Sequence, residues 1–264
     1  MKWWISDYDG TININEDEKV LKEDLDFINE WINNGNKFVI ASGRIKDEIL
    51  HFKKYNKIDF DYIIANNGAC VYDKHEQLIA TINISMESRP KIKEVLTKLK
   101  DEFSIGYTIT NIRNSLAYTF DKEIDGNDFF NDVAPKFDNW ESGIKDIENN
   151  EMLNDIMFLA SADRIDKVRE YFKDIPDVKC VKTHKNLIEV IHKDVSKAHG
   201  INMILQHANA NVSMDDIYTS GDGENDIEML AITKNSFAME KASDNVKKHA
   251  QHVIKFVREI KNYL

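Results

Sequence analysis

From Trp3 to about Asp73 the chain alternates short apolar runs with helical patterns, and this order restricts the fold more than any other feature of the sequence. A strand at Trp3, a helix around Leu25 to Ile32, a strand at Phe38, a helix near Glu48 to Lys54 and a strand at Tyr62 follow one another. Such alternation predicts right-handed crossovers and a parallel sheet. Between about Ser85 and Asn186 the order changes. A helix at Arg89 to Phe103 precedes strands at Ile105 to Thr110 and Ser115 to Phe120, then an irregular acidic stretch, Asp121 to Asn150, with helical pieces. A strand at Asp155 to Ala160, a helix at Asp163 to Phe172 and a strand at Val178 to Thr183 complete the segment. Each piece needs a shared sheet to bury its apolar face, so the segment reads as a separate α+β layer inserted into the first domain. From Leu187 the alternation resumes. The expected fold class is α/β, a parallel-sheet core over residues 1–84 and 187–264 with an inserted α+β domain over residues 85–186.

The strand at Trp3 ends in Asp7-Tyr8-Asp9-Gly10-Thr11. Alternate side chains of a strand share a face, so Asp7 and Asp9 are expected to point together where the chain leaves the sheet. Two carboxylates held that close have three readings. A divalent cation such as Mg2+ takes carboxylate, carbonyl and water oxygens and keeps room for a substrate phosphate. Alternatively, one carboxylate is a nucleophile and its neighbour moves a proton. The third reading is an acidic turn, since Asp and Gly are ordinary turn residues.

Three further junctions supply context. Lys37 to Ala41 ends in Ser42-Gly43-Arg44, where a hydroxyl and bare backbone N–H groups suit a phosphate oxygen, although Ser-Gly is also a routine turn. Asp194 to Gly200 follows the strand-like Leu187 to Ile191 and opens a helix running to about Ala208. Lys197 then sits in the first helical turn, where a cation opposes the helix dipole unless an anion lies nearby; a solvated surface Lys is the alternative. Asp216 to Ser220 runs into Gly221-Asp222-Gly223-Glu224-Asn225-Asp226 and a helix from Ile227 to Ala231. The turn lacks the Asp spacing and terminal Glu of a helix-loop-helix calcium loop. Asp222 can complete a Mg2+ site with Asp7, while Asn225 and Asp226 support waters, Lys197 or phosphate from behind. All four junctions fall at the carboxyl end of an apparent strand, the edge at which open parallel sheets bind ligands.

In residues and in order, these junctions resemble the four motifs of the haloacid dehalogenase superfamily of phosphohydrolases, and within it the Cof-type, type IIB group. Asp7 to Thr11 matches motif one, Ser42 motif two, Lys197 motif three and Gly221 to Asp226 motif four; Ile63-Ile64-Ala65-Asn66-Asn67-Gly68-Ala69 resembles the group's Asn-Gly-Ala segment. The resemblance implies a Rossmann-like core with a type IIB cap that sets specificity. It also implies a Mg2+-dependent phosphatase that hydrolyses small phosphate monoesters, with Asp7 as nucleophile and Asp9 as acid and base. Mg2+ is expected on Asp7, the backbone carbonyl of Asp9 and Asp222. Ser42, the N–H groups near Gly43, Lys197 and Asn225 are expected around the phosphate, with Thr11 fixing the turn, Asp226 in support, and Arg44 touching substrate or pairing at the surface. In one place the chain departs from the group: Met239-Glu240-Lys241-Ala242 stands where Gly-Asn-Ala is usual, so Lys241 replaces a supporting Asn. A sugar phosphomutase shares these motifs and a similar cap. A non-catalytic sensor of a phosphorylated metabolite has no need of Asp9, and a phosphoacceptor receiver fits the inserted layer and motif order poorly.

Charge and composition narrow the partners. A net charge of −11 disfavours nucleic acid, which needs a basic face, but a local Mg2+ and Lys197 can still admit an anionic substrate. No stretch approaches the roughly 20 apolar residues of a membrane span, and the opening run is too short for a signal peptide, so a cytoplasmic protein without membrane or obligate protein partner is expected. Cys70 and Cys180 lack metal-type spacing and read as reduced buried thiols. In the insertion, Tyr118, Phe129, Phe130 and Trp140 read as core rather than substrate contacts. His184, His192 and His199 read as exposed or satisfied rather than as metal ligands, and the run Glu123 to Asp132 reads as a solvated face.

Overall fold

The computed structural model describes residues 1–15, 17, 19–127, 130–131, 133–209 and 212–264, so Phe129 and Asp132 lie outside the described residues. In chain order the elements begin with β1 (Trp3–Ser6), α1 (Lys22–Asn33), β2 (Lys37–Ala41), α2 (Lys46–Asn56), β3 (Tyr62–Ala65), β4 (Cys70–Asp73) and β5 (Leu78–Thr81). Next come α3 (Arg89–Leu99), β6 (Ser104–Ile109), β7 (Ile112–Ala117), α4 (Lys122–Asp125), α5 (Trp140–Asn149), β8 (Leu153–Leu159), α6 (Val168–Phe172), β9 (Val178–His184) and β10 (Leu187–His192). The chain closes with α7 (Lys197–His207), β11 (Ile217–Gly221), α8 (Ile227–Leu230), β12 (Asn235–Met239), α9 (Asp244–Lys247) and β13 (His252–Ile254). Two compact units result, Met1–Thr81 with Val195–Leu264, and Ile82–Asp194.

The first unit holds a sheet ordered β13-β12-β11-β1-β2-β3-β4-β5 among the described residues. Every pair from β13 to β3 is parallel, whereas β3–β4 and β4–β5 are antiparallel. The parallel sheet read from the alternation is therefore present with an antiparallel hairpin added at one edge. Central strands are buried on both faces, as parallel sheets require. Trp4 turns into one core, where its ring meets Phe38, Phe27 and Trp31 at 4.8, 5.4 and 5.8 Å, and Trp3 and Ile5 enter the other. α1 buries Asp24, Phe27, Ile28 and Trp31, the i, i+3, i+4, i+7 stripe of an amphipathic helix.

The second unit holds a five-stranded antiparallel sheet ordered β7-β6-β8-β10-β9. Alternate residues Ile105 and Tyr107, Ile156 and Phe158, Ile188 and Val190 share a core with Ile92, Leu96 and Leu99 of α3, Ile144 and Ile147 of α5, and Val168 and Phe172 of α6. The expected boundaries need correction here. Leu187–His192 pairs antiparallel with β8 and β9 and belongs to this sheet, and the units divide at Thr81/Ile82 and Asp194/Val195 rather than at 84/85 and 186/187. An apolar five-residue run looks the same in either kind of sheet, and only its partners tell them apart.

Phe130 is buried with Ile124, Met157 and Leu159, and Trp140 packs against the larger core. Tyr118 donates its hydroxyl to Asp125. Within the acidic run, Glu123 and Asp125 are exposed while Ile124 and Phe130 are buried, so the solvated face carries a small apolar anchor. His184 and His192 accept the backbone N–H groups of Asn186 and Asp194 on Nδ1. Cys70 is buried and Cys180 half-buried, both as free thiols. No helix among the described residues is long and apolar enough to cross a membrane.

Candidate active site

Parallel pairing brings three strand ends level. Ser6 at the end of β1 lies opposite Ser220 of β11 and Ile40 of β2. Asp7, Ser42 and Asp222 are each the first residue beyond their strand. The Asp7 N–H still donates to the Ser220 carbonyl, so the carboxylate leaves from backbone held by the sheet. Below it, the Trp4 indole donates to Ser220 Oγ at 2.9 Å and the Ser6 and Ser220 hydroxyls meet at 2.7 Å. This buried polar layer is fully paired, the condition under which such networks stiffen a site.

Lys197 opens α7, whose Ser196 N-cap accepts the His199 N–H. Its ammonium has no exposure and donates to Asp7 Oδ1 and Asp226 Oδ1, both at 2.6 Å. Burial pulls the Lys197 pKa down, but the Asp226 and Asp7 carboxylates outweigh it and the net direction is up. Burial raises the Asp7 pKa well above its ordinary value; Lys197 opposes the rise and Asp226 and Asp222 add to it. Asp226 is spoken for at both oxygens, since Oδ2 accepts the N–H groups of Asp222 and Gly223 at 2.9 Å each. Asp7 Oδ2 is buried and accepts no hydrogen bond from any described residue. One oxygen from each of Asp7, Asp222 and Asp226 lies within 4.8 Å of the others. Three carboxylates therefore face one ammonium. Asp222, half-buried, is pushed up to about 6, first by burial and next by Asp226.

Gly10 makes this crowding possible. Its φ is +80°, and an added Cβ would lie 2.4 Å from Asp222 Oδ2, inside van der Waals contact. Thr11, expected only to fix the turn, donates its hydroxyl to Asp222 Oδ1 at 3.0 Å. Asp9 is not among the clustered carboxylates. Arg44 grips it with two hydrogen bonds, Nε to Oδ2 at 2.8 Å and an Nη to Oδ1 at 2.9 Å, and its guanidinium lies over the Tyr8 ring. The Arg44 pKa is raised, with burial opposing and Asp9 driving the shift. Arg44 is thus paired with Asp9 rather than with a surface partner. The Ser42 hydroxyl accepts the Arg44 N–H at 3.1 Å and keeps its own proton to donate. Gly43 is half-buried in the same turn.

Asn225 donates from Nδ2 to Asn67 Oδ1 at 2.9 Å, a partner the sequence reading did not assign. The signal for it was the Asn-Asn-Gly run after β3, since Asn and Gly are the residues that accept left-handed backbone. Lys241 donates to the Ile14 carbonyl at 3.1 Å, and its charge favours ionised Asp222. The substituted position thus ties the β1 loop and adds a cation near the acidic cluster.

The chain resembles several known proteins over nearly its whole length. A Mycoplasma pneumoniae protein that bears a provisional phosphatase name is 26% identical over 268 residues, covering 96% of this chain and 91% of its own length. The 5-amino-6-(5-phospho-D-ribitylamino)uracil phosphatase of Bacillus subtilis is 24% identical over 274 residues, covering 97% of this chain and 93% of its own. Among solved structures, a subclass IIB sugar phosphatase of the superfamily has the same fold, with a TM-score of 0.80 at 20% identity over 100% of this chain and 98% of that one. The model of the haloacid dehalogenase-like hydrolase family matches residues 4–261, a span that includes Asp7, Ser42, Lys197 and Asp222 and reaches across both units. On that match the chain belongs to the haloacid dehalogenase-like hydrolases.

Proposed function

We propose that this hydrolase is a Mg2+-dependent phosphatase that acts on small phosphate monoesters through a phosphoryl group carried on Asp7. The observation that carries the reading is Asp7 itself: Lys197 orients one oxygen while the other is buried and unpartnered, as an attacking oxygen must be. The phosphatase names of full-length relatives support it. The donor set also fits Mg2+, because the hard carboxylate oxygens of Asp7, Asp222 and Asp226 converge with one buried ammonium among them, which leaves negative charge for a cation to balance. Asp7, Asp222 and the Asp9 carbonyl would hold the ion, and Asp226, saturated by Lys197 and two N–H groups, anchors from behind. When bound, the ion supplies positive charge that offsets repulsion between a carboxylate and a phosphate dianion.

In this reading Asp7 Oδ2 attacks phosphorus and the bond to the leaving oxygen breaks, with Asp9 giving that oxygen a proton. Asp9 then takes a proton from the water that cleaves the acyl phosphate, which returns Asp7. The Ser42 hydroxyl, the N–H groups near Gly43, Lys197 and Asn225 hold the equatorial oxygens, where charge accumulates. The unit Ile82–Asp194 serves as the cap that selects the leaving group, and the enzyme works in the cytoplasm. Phosphate release from a panel of sugar phosphates, 5-amino-6-(5-phospho-D-ribitylamino)uracil and pyridoxal phosphate, with and without Mg2+, tests the reading. No release from any of them, or release indifferent to the metal, defeats it; transfer of phosphate to a second sugar hydroxyl points to a mutase.

Arg44 sets the geometry of the proton step. Its fork fixes both Asp9 oxygens, and a planar bidentate contact is lost when lysine replaces arginine. Arg44→Lys is expected to lower kcat by roughly 10- to 100-fold, the range for a misplaced catalytic group, with a smaller change in KM. A raised KM with kcat unchanged would instead mark Arg44 as a binding residue.

Asp222 links function to stability. Its folded-state pKa of about 6 is raised above an unfolded value of about 4, so the penalty is absent below the unfolded value and grows as pH rises through 6. Asp222→Asn is therefore expected to stabilise the metal-free chain at pH 7.5 by about 1–3 kcal/mol. It should also flatten the fall in stability between pH 4 and 7 and abolish the rise in Tm that Mg2+ gives the parent. Thermal melts in chelator and in Mg2+ across that range decide it; an unchanged Mg2+ shift would remove Asp222 from the site.

A further inference from the structure

Between β3 and β4 three consecutive residues have positive φ, Asn66 at 49°, Asn67 at 57° and Gly68 at 106°, the one such run among the described residues. Two of the three carry side chains, and both are buried. Asn accepts left-handed backbone more readily than other residues with a side chain, but as single residues; two in succession persist where the surroundings impose them, often at functional sites. Here the surroundings are the site's own loops. The Asn66 N–H donates to the Arg44 carbonyl and the Asn67 N–H to the Ser42 carbonyl, each at 3.0 Å. Asn67 Oδ1 accepts from Asn225 at 2.9 Å. At Gly68 an added Cβ would lie 2.1 Å from the Ser196 carbonyl oxygen and 3.1 Å from the Lys197 nitrogen. One short turn thus touches three separate segments, and each of them carries a residue assigned above to the phosphate.

We propose that Asn66–Gly68 sets the spacing of the phosphate-holding groups, with Asn67 a positioning residue that acts through Asn225. An amide pinned through one Nδ2 hydrogen has the direction of its second N–H fixed, so the Asn67 oxygen decides where Asn225 can donate. Gly68 works sterically, because only a residue without Cβ lets Lys197 start its helix this close to the turn. The inference rests on the phosphatase reading of the site.

Asn67→Gly separates positioning from folding. Glycine takes positive φ without strain, so the backbone persists while the acceptor for Asn225 disappears. Asn67→Gly and Asn225→Ala are each expected to lower kcat/KM about tenfold and to weaken inorganic phosphate binding, measured by calorimetry with Mg2+, by a similar factor. Because the two act through one bond, the double variant should lose no more than either single one. The Tm of Asn67→Gly should stay at the parental value. Parental kcat/KM and phosphate affinity in Asn67→Gly, or losses that multiply in the double variant, overturn the proposal. If Asn67→Gly melts early, Asn225→Ala decides alone, and parental phosphate affinity there overturns it. A parent that binds phosphate but hydrolyses nothing defeats the phosphatase reading, and the positioning role is then judged on phosphate affinities; a parent that does neither overturns both.

Discussion

Asp7→Asn is expected to abolish phosphate release and, at the same time, to raise the Tm of the metal-free chain. The first effect follows from the proposed role of Asp7 as nucleophile. An amide oxygen is a poor nucleophile, and removal of a nucleophile that acts as a unit with its neighbours typically costs four to six orders of magnitude in kcat. The second follows from the charge balance. In the parent, Asp7, Asp222 and Asp226 share one buried ammonium, and burial together with the two neighbouring carboxylates raises the Asp7 pKa. Asparagine removes the surplus charge and keeps the shape, while Lys197 retains Asp226 at 2.6 Å. A raised carboxylate penalises the fold above its folded-state pKa and not below its unfolded value, so the gain in Tm should be present at pH 7.5 and vanish near pH 4. Substrate hydrolysis and thermal melts on the same preparation test both halves. Turnover within tenfold of the parent would show that water or another group attacks phosphorus, and an inactive but less stable variant would show that Asp7 serves the fold.

How far the sequence revealed this site depends on what kind of contact each residue makes. Asp7, Ser42 and Asp222 stand where apolar runs end in polar turns, and parallel pairing of β1, β2 and β11 suffices to gather these strand ends, whereas Lys197 comes from the first turn of α7, because the apolar run before it, β10, belongs to the antiparallel sheet of the other unit. Chain distance is then irrelevant: Lys197 reaches Asp7 although 190 residues separate them. Contacts that depend on where a long side chain turns were not legible. Arg44 could have met substrate or a surface partner, and the choice of Asp9 is made by a guanidinium within reach of both of its oxygens. Thr11 is expected to fix the turn, and which carboxylate its hydroxyl meets, Asp222, is not legible in the sequence. Asn67 was hidden because Asn-Asn-Gly is also an ordinary turn, and its bond to Asn225 exists only once β3 and α8 are both placed. The hairpin β4–β5 was missed for a related reason. Four-residue strands around a polar Lys74-His75-Glu76 connection carry too few apolar positions to show a period.

Lys197→Met should have the largest effect on stability, because it leaves Asp7 and Asp226 buried without their counter-ion. Removing one partner of a buried pair usually costs about 3–5 kcal/mol, far more than the pair is worth relative to a well-packed apolar replacement. For a chain of this size that corresponds to a fall in Tm on the order of 10 °C at pH 7.5. The pH dependence identifies the cause. In the parent, Lys197 has a raised pKa, so its stabilising contribution is fully present below the unfolded value near 10.4 and is lost only as pH rises beyond it. In the variant Asp7, already raised by burial, loses the ammonium that opposes the rise, so the deficit should be greatest at neutral pH and shrink as Asp7 takes up a proton toward pH 4. A second substitution sharpens the test. Asp226→Asn removes one surplus charge, and its amide oxygen can still accept the Asp222 and Gly223 N–H groups while its Nδ2 can donate toward Asp7. Lys197→Met with Asp226→Asn is therefore expected to regain most of the lost Tm but none of the activity, because the ammonium that faces the phosphate in the proposed mechanism is still missing. If stability does not return, the hydrocarbon stem of Lys197, rather than its charge, holds α7 in place. If activity returns with it, Lys197 has no part in binding phosphate and serves only to neutralise Asp7 and the carboxylates beside it.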